Sequence, residues 1–227
     1  MTQEPLDHPF LSALTGRQAH LARWNAAGTA LRIDPDYGPF AAAVAGHEAA
    51  LAGLLRDASD EIWLVQAQGL AVPDGLVLKR RADLVQMVAQ AAPPAVDSGD
   101  IVLLTASDAP AMAALAHATQ PGPWGPKTHL YGQFYGIKDD GRLVAMAGER
   151  ARPAEGITEV SGVCTDPAYR GRGYAQALII HVMAGLAARG EAAYLHSWAS
   201  NVGAIALYEQ LGFQIRASMV ASVLALG

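Results

Sequence analysis

The stretch Thr165–Gln176, TDPAYRGRGYAQ, decides the reading of the fold. It joins a β-branched apolar run, GITEVSGVCT, to a long apolar one, GYAQALIIHVMAGLAARG. In the second run Leu178, Ile179, Val182, Met183 and Leu186 recur at helical spacing before Gly190. The order predicted is strand, glycine-rich turn, helix. A turn of this kind can aim backbone N–H groups at an anion, because the first amides of a helix lack intrahelical acceptors and the helix dipole favours negative charge there.

Downstream, AAYLHSW reads as a strand, and Asn201 caps a helix carrying Ile205, Tyr208 and Leu211 on one face. That helix stops at Gly212, and a last strand lies around SMVASVLAL. Upstream, IVLLT from Ile101 reads as a buried strand, ASDAPAMAALAHAT as a helix, and LYGQFYGIKDDGRLVAMAGER as a hairpin turning at KDDGR. QPGPWGPKTH has too much glycine and proline for regular structure. The earlier part predicts helices around Phe40–Leu55 and Ala82–Ala91, with strands at EIWLVQ from Glu61 and GLVLK from Gly75. Pro93, Pro94 and the polar DSGD mark a boundary. The chain therefore divides into an N-terminal α/β accessory unit, 1–95, and a second domain, 99–227.

The 227 residues are 52% hydrophobic, enough for a substantial core, and carry a formal net charge of −5 without a Lys/Arg-rich block. A nucleic-acid partner is not expected, so any anion site should be local. The apolar run AAAVAGHEAALAGLL is shorter than the roughly 20 residues that span a bilayer. A single cysteine and an N-terminus without a signal-like core point to the cytoplasm and away from membranes. The seven histidines form no metal-like grouping, so no metal is expected.

Two familiar phosphate loops fail here. Gln176 stands where a dinucleotide fingerprint needs its third glycine, and no Lys-Ser/Thr pair follows for a Walker loop. RGRGYA from Arg170 instead resembles the Arg/Gln-x-x-Gly-x-Gly/Ala signature of the GNAT superfamily of N-acetyltransferases. NVGAIALYEQLGF, Asn201 to Phe213, is similar to that family's second hallmark. TEVSGVCTDPAYRGRGYA is similar to the glycine N-acyltransferase-like branch, and the likeness runs over about residues 100–227. It implies a mixed α/β fold with a splayed, largely antiparallel sheet flanked by helices. It also implies an acetyl-CoA-dependent N-acetyltransferase acting by direct attack of a primary amine.

On that resemblance, Arg170, Gly171, Arg172, Gly173, Tyr174 and Ala175 hold the pyrophosphate of coenzyme A, with Gly171 and Gly173 letting the backbone approach closely. The pantetheine arm lies along Val163 and Cys164, and Gly162 favours a bulge that splays the strand. Asn201 and Tyr208 belong to the same cofactor side, with Tyr208 as general acid toward the departing thiolate. Glu159 is the candidate general base, on the strand face of Ser161 and Val163, and Glu149 competes for that role. Cys164 reads as a small buried side chain rather than a nucleophile, and His196 as a core or rim residue of the acceptor cleft. Trp124, Lys127 and His129 are candidates to border the acceptor. The expected acceptor is a small-molecule or amino-acid amine. A protein N-terminus, a non-catalytic acyl-CoA sensor and a homodimer stay open.

Overall fold

The computed structural model describes residues 5–91 and 99–227; the Pro93–Pro94 break lies outside the described residues. The chain opens with helix α1 (Pro9–Thr15) and strands β1 (Ala22–Trp24), β2 (Ala30–Ile33) and β3 (Ala41–Ala43), which form a three-stranded antiparallel sheet. There follow β4 (Ile62–Gln66), β5 (Leu76–Ala89), β6 (Ile101–Leu103), helix α2 (Ala109–Thr119), β7 (Phe134–Asp139), β8 (Arg142–Glu149) and β9 (Ile157–Thr165). Helix α3 (Tyr174–Ala188), β10 (Ala192–Trp198), helix α4 (Val202–Gln210) and β11 (Phe213–Leu226) complete it.

Strands β4 to β11 make one eight-stranded sheet in the order β4-β11-β5-β10-β9-β8-β7-β6. Every pairing is antiparallel except β9 with β10. Helices flank this mixed α/β sheet. The apolar stripe of α3, with Leu178, Ile179, Val182, Met183 and Leu186, packs on one face against Met87, Val144, Val160 and Leu195. On the other face α2 covers Met146 and Cys164, while α1 and the small sheet cover Trp63, Leu84, Met219 and Ala221. The division expected at 95–99 falls between β5 and β6 of the same sheet.

Local signals behave as their chemistry dictates. Asp140 (φ 47°) and Gly141 (φ 78°) make the left-handed two-residue turn of the β7–β8 hairpin. Asn201 Oδ1 accepts from the Ala204 amide (3.2 Å), capping α4. Gly190 and Gly212 take positive φ just past α3 and α4.

Three expectations need correction. Ala82–Ala91 is not a helix: residues 82–89 belong to β5, held between β11 and β10. Because this part of β5 is covered on both faces, LVQMVA shows no polar alternation and mimics a buried helix. Phe40–Leu55 is β3 followed by a 3-10 turn, Glu48–Leu54, since residues 41–43 pair with β2 and Gly46 (φ 83°) interrupts the run. Ile101–Leu103 is an edge strand, with Val102 and Leu103 exposed rather than buried.

The N-terminal segment is tied down by polar contacts as well as packing. Gln18 spans two main-chain groups, donating to Arg150 O (2.9 Å) and accepting from the Arg152 amide (2.9 Å). Arg17 reaches Glu191 at 2.7 Å. Inside the segment, buried Arg32 pairs with Asp60 (2.6 Å), which Arg56 also holds. Burial pushes the Asp60 carboxyl up, but the hydrogen bonds from Arg56 and Arg32 outweigh it and hold it well below the usual carboxylate range.

Candidate active site

The parallel ladder between β9 and β10 covers only Ile157–Glu159 against Ala192–Tyr194, although both strands continue. Beyond Glu159 they part, and a cleft of about 450 Å³ lies between them. A bulge sharpens the splay: Met146 pairs with Cys164 and Gly148 with Ser161, so Gly162 and Val163 face the single residue Ala147. Gly162 has φ 63°, and a Cβ there would come within 2.8 Å of the Phe134 ring. Only glycine fits on both counts. The bulge also corrects a face assignment: Glu159 shares its face with Ser161 and Cys164, and Val163 turns to the other side, against the α3 core.

At one end of the cleft stand Val163, Cys164, Thr165, Arg170, Ala175, Asn201 and Tyr208, so the two sequence motifs meet in space. Gly171 (φ 77°) and Gly173 (φ 79°) are left-handed, and a Cβ on either would meet nothing within 4 Å. These glycines serve the turn rather than packing. Gly173 is the N-cap of α3 and offers no side-chain cap to the first-turn amides. Arg170 lines the cleft, while the Arg172 guanidinium lies 4.7 Å from the Tyr169 ring centroid. Gly171, Arg172, Gly173 and Tyr174 form the adjoining turn and are not part of the cleft wall.

Tyr208 stands on α4 with its ring edge-on to Phe213 (6.1 Å between centroids). Its hydroxyl has no hydrogen-bond partner among the described residues. Burial raises the phenol above its ordinary pKa of 10, so it carries its proton at neutral pH. Cys164 is buried, which pushes its thiol up to about 11, so a thiolate nucleophile gains no support.

Glu159 is fully buried beneath the cleft rather than in its wall. Arg150 Nη2 donates to its Oε1 (2.7 Å) and Arg150 Nε to its Oε2 (2.8 Å); His196 Nδ1 donates to Oε1 (2.7 Å). Burial alone would push this carboxyl up, but the Arg150 charge and these hydrogen bonds overcome it and hold Glu159 well below the usual carboxylate range. The His196 tautomer follows from the chain beyond. Arg216 Nη1 donates to Gln86 Oε1 (2.9 Å), which leaves Gln86 Nε2 to donate to His196 Nε2 (3.1 Å) and the ring proton on Nδ1. Glu149, the competing base, is also buried, but Arg152 (2.8 Å) and Arg189 (2.6 Å) hold it outside the cleft wall.

The far end of the cleft is aromatic. Phe40, Trp63, Val65, Leu84, Trp198 and Ala221 line it, with Arg150 and His196 at the boundary. Phe40 is fixed by stacking on Phe10 (3.7 Å between centroids), and the Arg150 guanidinium lies 4.8 Å from its ring centroid. None of these apolar residues was singled out from the sequence; they come from strands and loops far apart in the chain. Of the loop candidates, Trp124 packs edge-on to Phe134 beside Gly162, in a small neighbouring cavity. Lys127 pairs with Asp36 (2.8 Å), and neither Lys127 nor His129 lines the cleft. The preceding residues Thr119–Pro123 do. Among the described residues no group of His, Cys, Asp and Glu is suited to a metal ion, and no helix is long and apolar enough to cross a membrane.

Comparison with known proteins agrees with this architecture. Residues 110–213 match the model of the acetyltransferase (GNAT) family. The chain is 32% identical over 116 residues to the ribosomal protein bS18-alanine N-acetyltransferase of Escherichia coli K12, covering 48% of this chain and 77% of that one. It is 34% identical over 123 residues to the N-alpha-acetyltransferase RimI of Mycobacterium tuberculosis, covering 49% and 75%. A crystal structure of a protein described as a GNAT-family acetyltransferase from Novosphingobium aromaticivorans superposes with a TM-score of 0.96. It is 53% identical, over 99% of this chain and all of that one. The fold over nearly the whole chain is also shared by a GCN5-related N-acetyltransferase from Kribbella flavida, at TM-score 0.57 and 22% identity. With these relatives and this splayed sheet, the chain belongs to the GNAT family and is an N-acetyltransferase.

Proposed function

We propose that the protein uses acetyl-CoA to acetylate the primary amine of a small molecule by direct attack. The observation that carries this reading is the continuity of one cleft, from Arg170 and the start of α3, past Tyr208, to an end walled by Phe40 and Trp63 of the N-terminal segment. Turn amides from Arg172 to Ala175, with Arg170 and Arg172, receive the pyrophosphate. Extended main chain at Val163 and Cys164 carries the pantetheine arm, with Asn201 bordering it. The neutral amine nitrogen attacks the thioester carbonyl, the C–S bond breaks, and Tyr208 gives its proton to the sulfur. The proton the nitrogen sheds on becoming an amide passes to water, from which the phenolate is reprotonated.

Glu159 takes a supporting role in this mechanism. Its oxygens are engaged by Arg150, His196 and the Ala151 amide, so it fixes the cleft floor and the acceptor amine loses its proton to water. The acid limb of kcat/KM should then follow the acceptor's own amine pKa across a series of amines. A limb that stays fixed while that pKa changes, and moves in Glu159→Gln or His196→Gln, would return the base to the protein.

Wall residues from the N-terminal segment favour a small acceptor, since a cleft of this size suits a small ligand better than a folded partner. The Escherichia coli relative acts on a ribosomal protein alanine by its name, so an N-terminal peptide is the second reading. The single cysteine fits work in the cytoplasm. The test is thiol release from acetyl-CoA over a panel of small amines and alanine-ended peptides, with products identified by mass. Amine-dependent release with small amines supports the reading. Release with peptides alone moves it to protein acetylation, and cofactor binding with no release to any acceptor moves it to a sensor.

A further inference from the structure

The arginines of this chain divide by their partners. Arg17, Arg23, Arg32, Arg56, Arg142, Arg150, Arg152, Arg189 and Arg216 each meet a carboxylate. Among the described residues Arg80, Arg81, Arg170 and Arg172 meet none. Arg170 lines, and Arg172 adjoins, the end of the cleft proposed for the pyrophosphate. Arg80 stands outside the cleft wall, against the rings of Trp63 and Trp198, which line its aromatic end.

Sheet register places it there. Val223 pairs with Trp63 on one side and with Arg80 on the other, so Trp63, Val223 and Arg80 form one row across β4, β11 and β5. The β5–β11 register runs unbroken from Arg80 to Leu84, and Leu84 pairs with Trp198. Arg80, Leu84, Trp63 and Trp198 therefore share the sheet face that floors the cleft. The Arg80 guanidinium carbon lies 4.6 Å from the Trp63 ring centroid and 5.9 Å from that of Trp198. Trp63 is itself fixed, its indole N–H donating to Glu61 (2.8 Å). The result is an exposed guanidinium with no ion-pair partner among the described residues, pre-positioned by two indoles that also line the aromatic end of the cleft.

We propose that Arg80 anchors a carboxylate on the acceptor, and that the acceptor class is an amino-carboxylate with its amine and its carboxylate at opposite ends of an apolar body. The inference rests on the acetyl-transfer reading for the direction of the amine. Arg80 stands four residues along β5 from Leu84, about 13 Å of strand, so the anchored group is remote from Tyr208 and an apolar spacer must fill the aromatic stretch between them. Guanidinium suits this task, since its fork binds carboxylate bidentately while its face stays stacked on a ring.

Matched amines test it. Acetylation of 4-(aminomethyl)benzoate is compared with benzylamine, and of 6-aminohexanoate with hexylamine, in the wild type, Arg80→Gln and Arg80→Lys; binding of the same compounds is followed in parallel by tryptophan fluorescence. The carboxylate member of each pair should show about a tenfold lower KM and Kd, equivalent to one charge-assisted contact of about 1.4 kcal/mol. Arg80→Gln should erase that preference without changing the KM for acetyl-CoA, and Arg80→Lys should keep part of it. Turnover with no carboxylate preference, or with one that Arg80→Gln leaves intact, overturns the anchor while acetyl transfer stands. Carboxylate-selective, Arg80-dependent binding without turnover upholds the anchor and sinks the acetyl-transfer reading. Neither binding nor turnover of any of the four overturns both.

Discussion

The two ends of the cleft are built in opposite ways. The end proposed for the cofactor draws on two short stretches, residues 163–175 and 201–208, in which each strand-to-helix junction is local in sequence. The aromatic end, proposed for the acceptor, takes Phe40 from the loop before β3, Trp63 and Val65 from β4, Leu84 from β5, Trp198 from β10 and Ala221 from β11. A turn that presents amides can be specified by a few consecutive residues, because glycine φ and helix-end geometry are local properties. A pocket wall needs side chains brought together by sheet register and by packing of one layer on another. The first kind of end suits a co-substrate shared across a family, and the second can be rebuilt to change the acceptor.

That contrast can be broken at several points. The largest effect is expected beneath the junction of the two ends. Glu159→Gln removes a fully buried carboxylate from the partly buried Arg150 and should cost about 3 kcal/mol, read as a lower denaturant midpoint at pH 7. The folded carboxyl titrates below its unfolded value of roughly 4.3. Its contribution is therefore present above that pH and is lost as pH falls through the folded pKa. The gap between wild type and variant should accordingly narrow at pH 3, and a constant gap would show that the ion pair is not its source.

Next, Tyr208→Phe should lower kcat about 100-fold while leaving the acetyl-CoA affinity within a factor of two. An unchanged kcat would remove the phenol from sulfur protonation. Gly173→Ala forces a left-handed non-glycine residue at the head of α3 and should raise the acetyl-CoA KM about tenfold, from a strain of roughly 1–2 kcal/mol. The acceptor KM should stay in place. The smallest change is at the other end: Trp63→Leu should raise the acceptor KM about fivefold, from the loss of roughly 1 kcal/mol of ring contact, with the acetyl-CoA KM unaltered. If Gly173→Ala and Trp63→Leu each moved both KM values alike, the two ends would not be separable.

Much of this could be read before the fold was seen, for reasons that differ by residue. The α3 stripe, the hairpin at Asp140–Gly141, the Asn201 cap and the Gly162 bulge were legible because each is a local conformational demand. Residues 82–89 were misread as helix because a strand covered on both faces loses its alternation. The face of Val163 was misassigned because a bulge resets the period of two that the assignment assumed. Glu159 drew attention as a carboxylate on the central strand. What its sequence neighbours could not show is that Arg150 and His196 close over both oxygens.

By itself, then, the sequence determined the glycine turn before α3, the helix that bears Tyr208, and with them the family, since these depend on backbone angles and contacts within a few residues. Tertiary structure alone decided how β5 enters the sheet beside β10, how Arg150 and His196 come to engage both oxygens of Glu159, and how Arg80 comes to lie against Trp63 and Trp198. Those outcomes depend on strand register and on burial, which place side chains distant along the chain in one row and set the charge state they can hold.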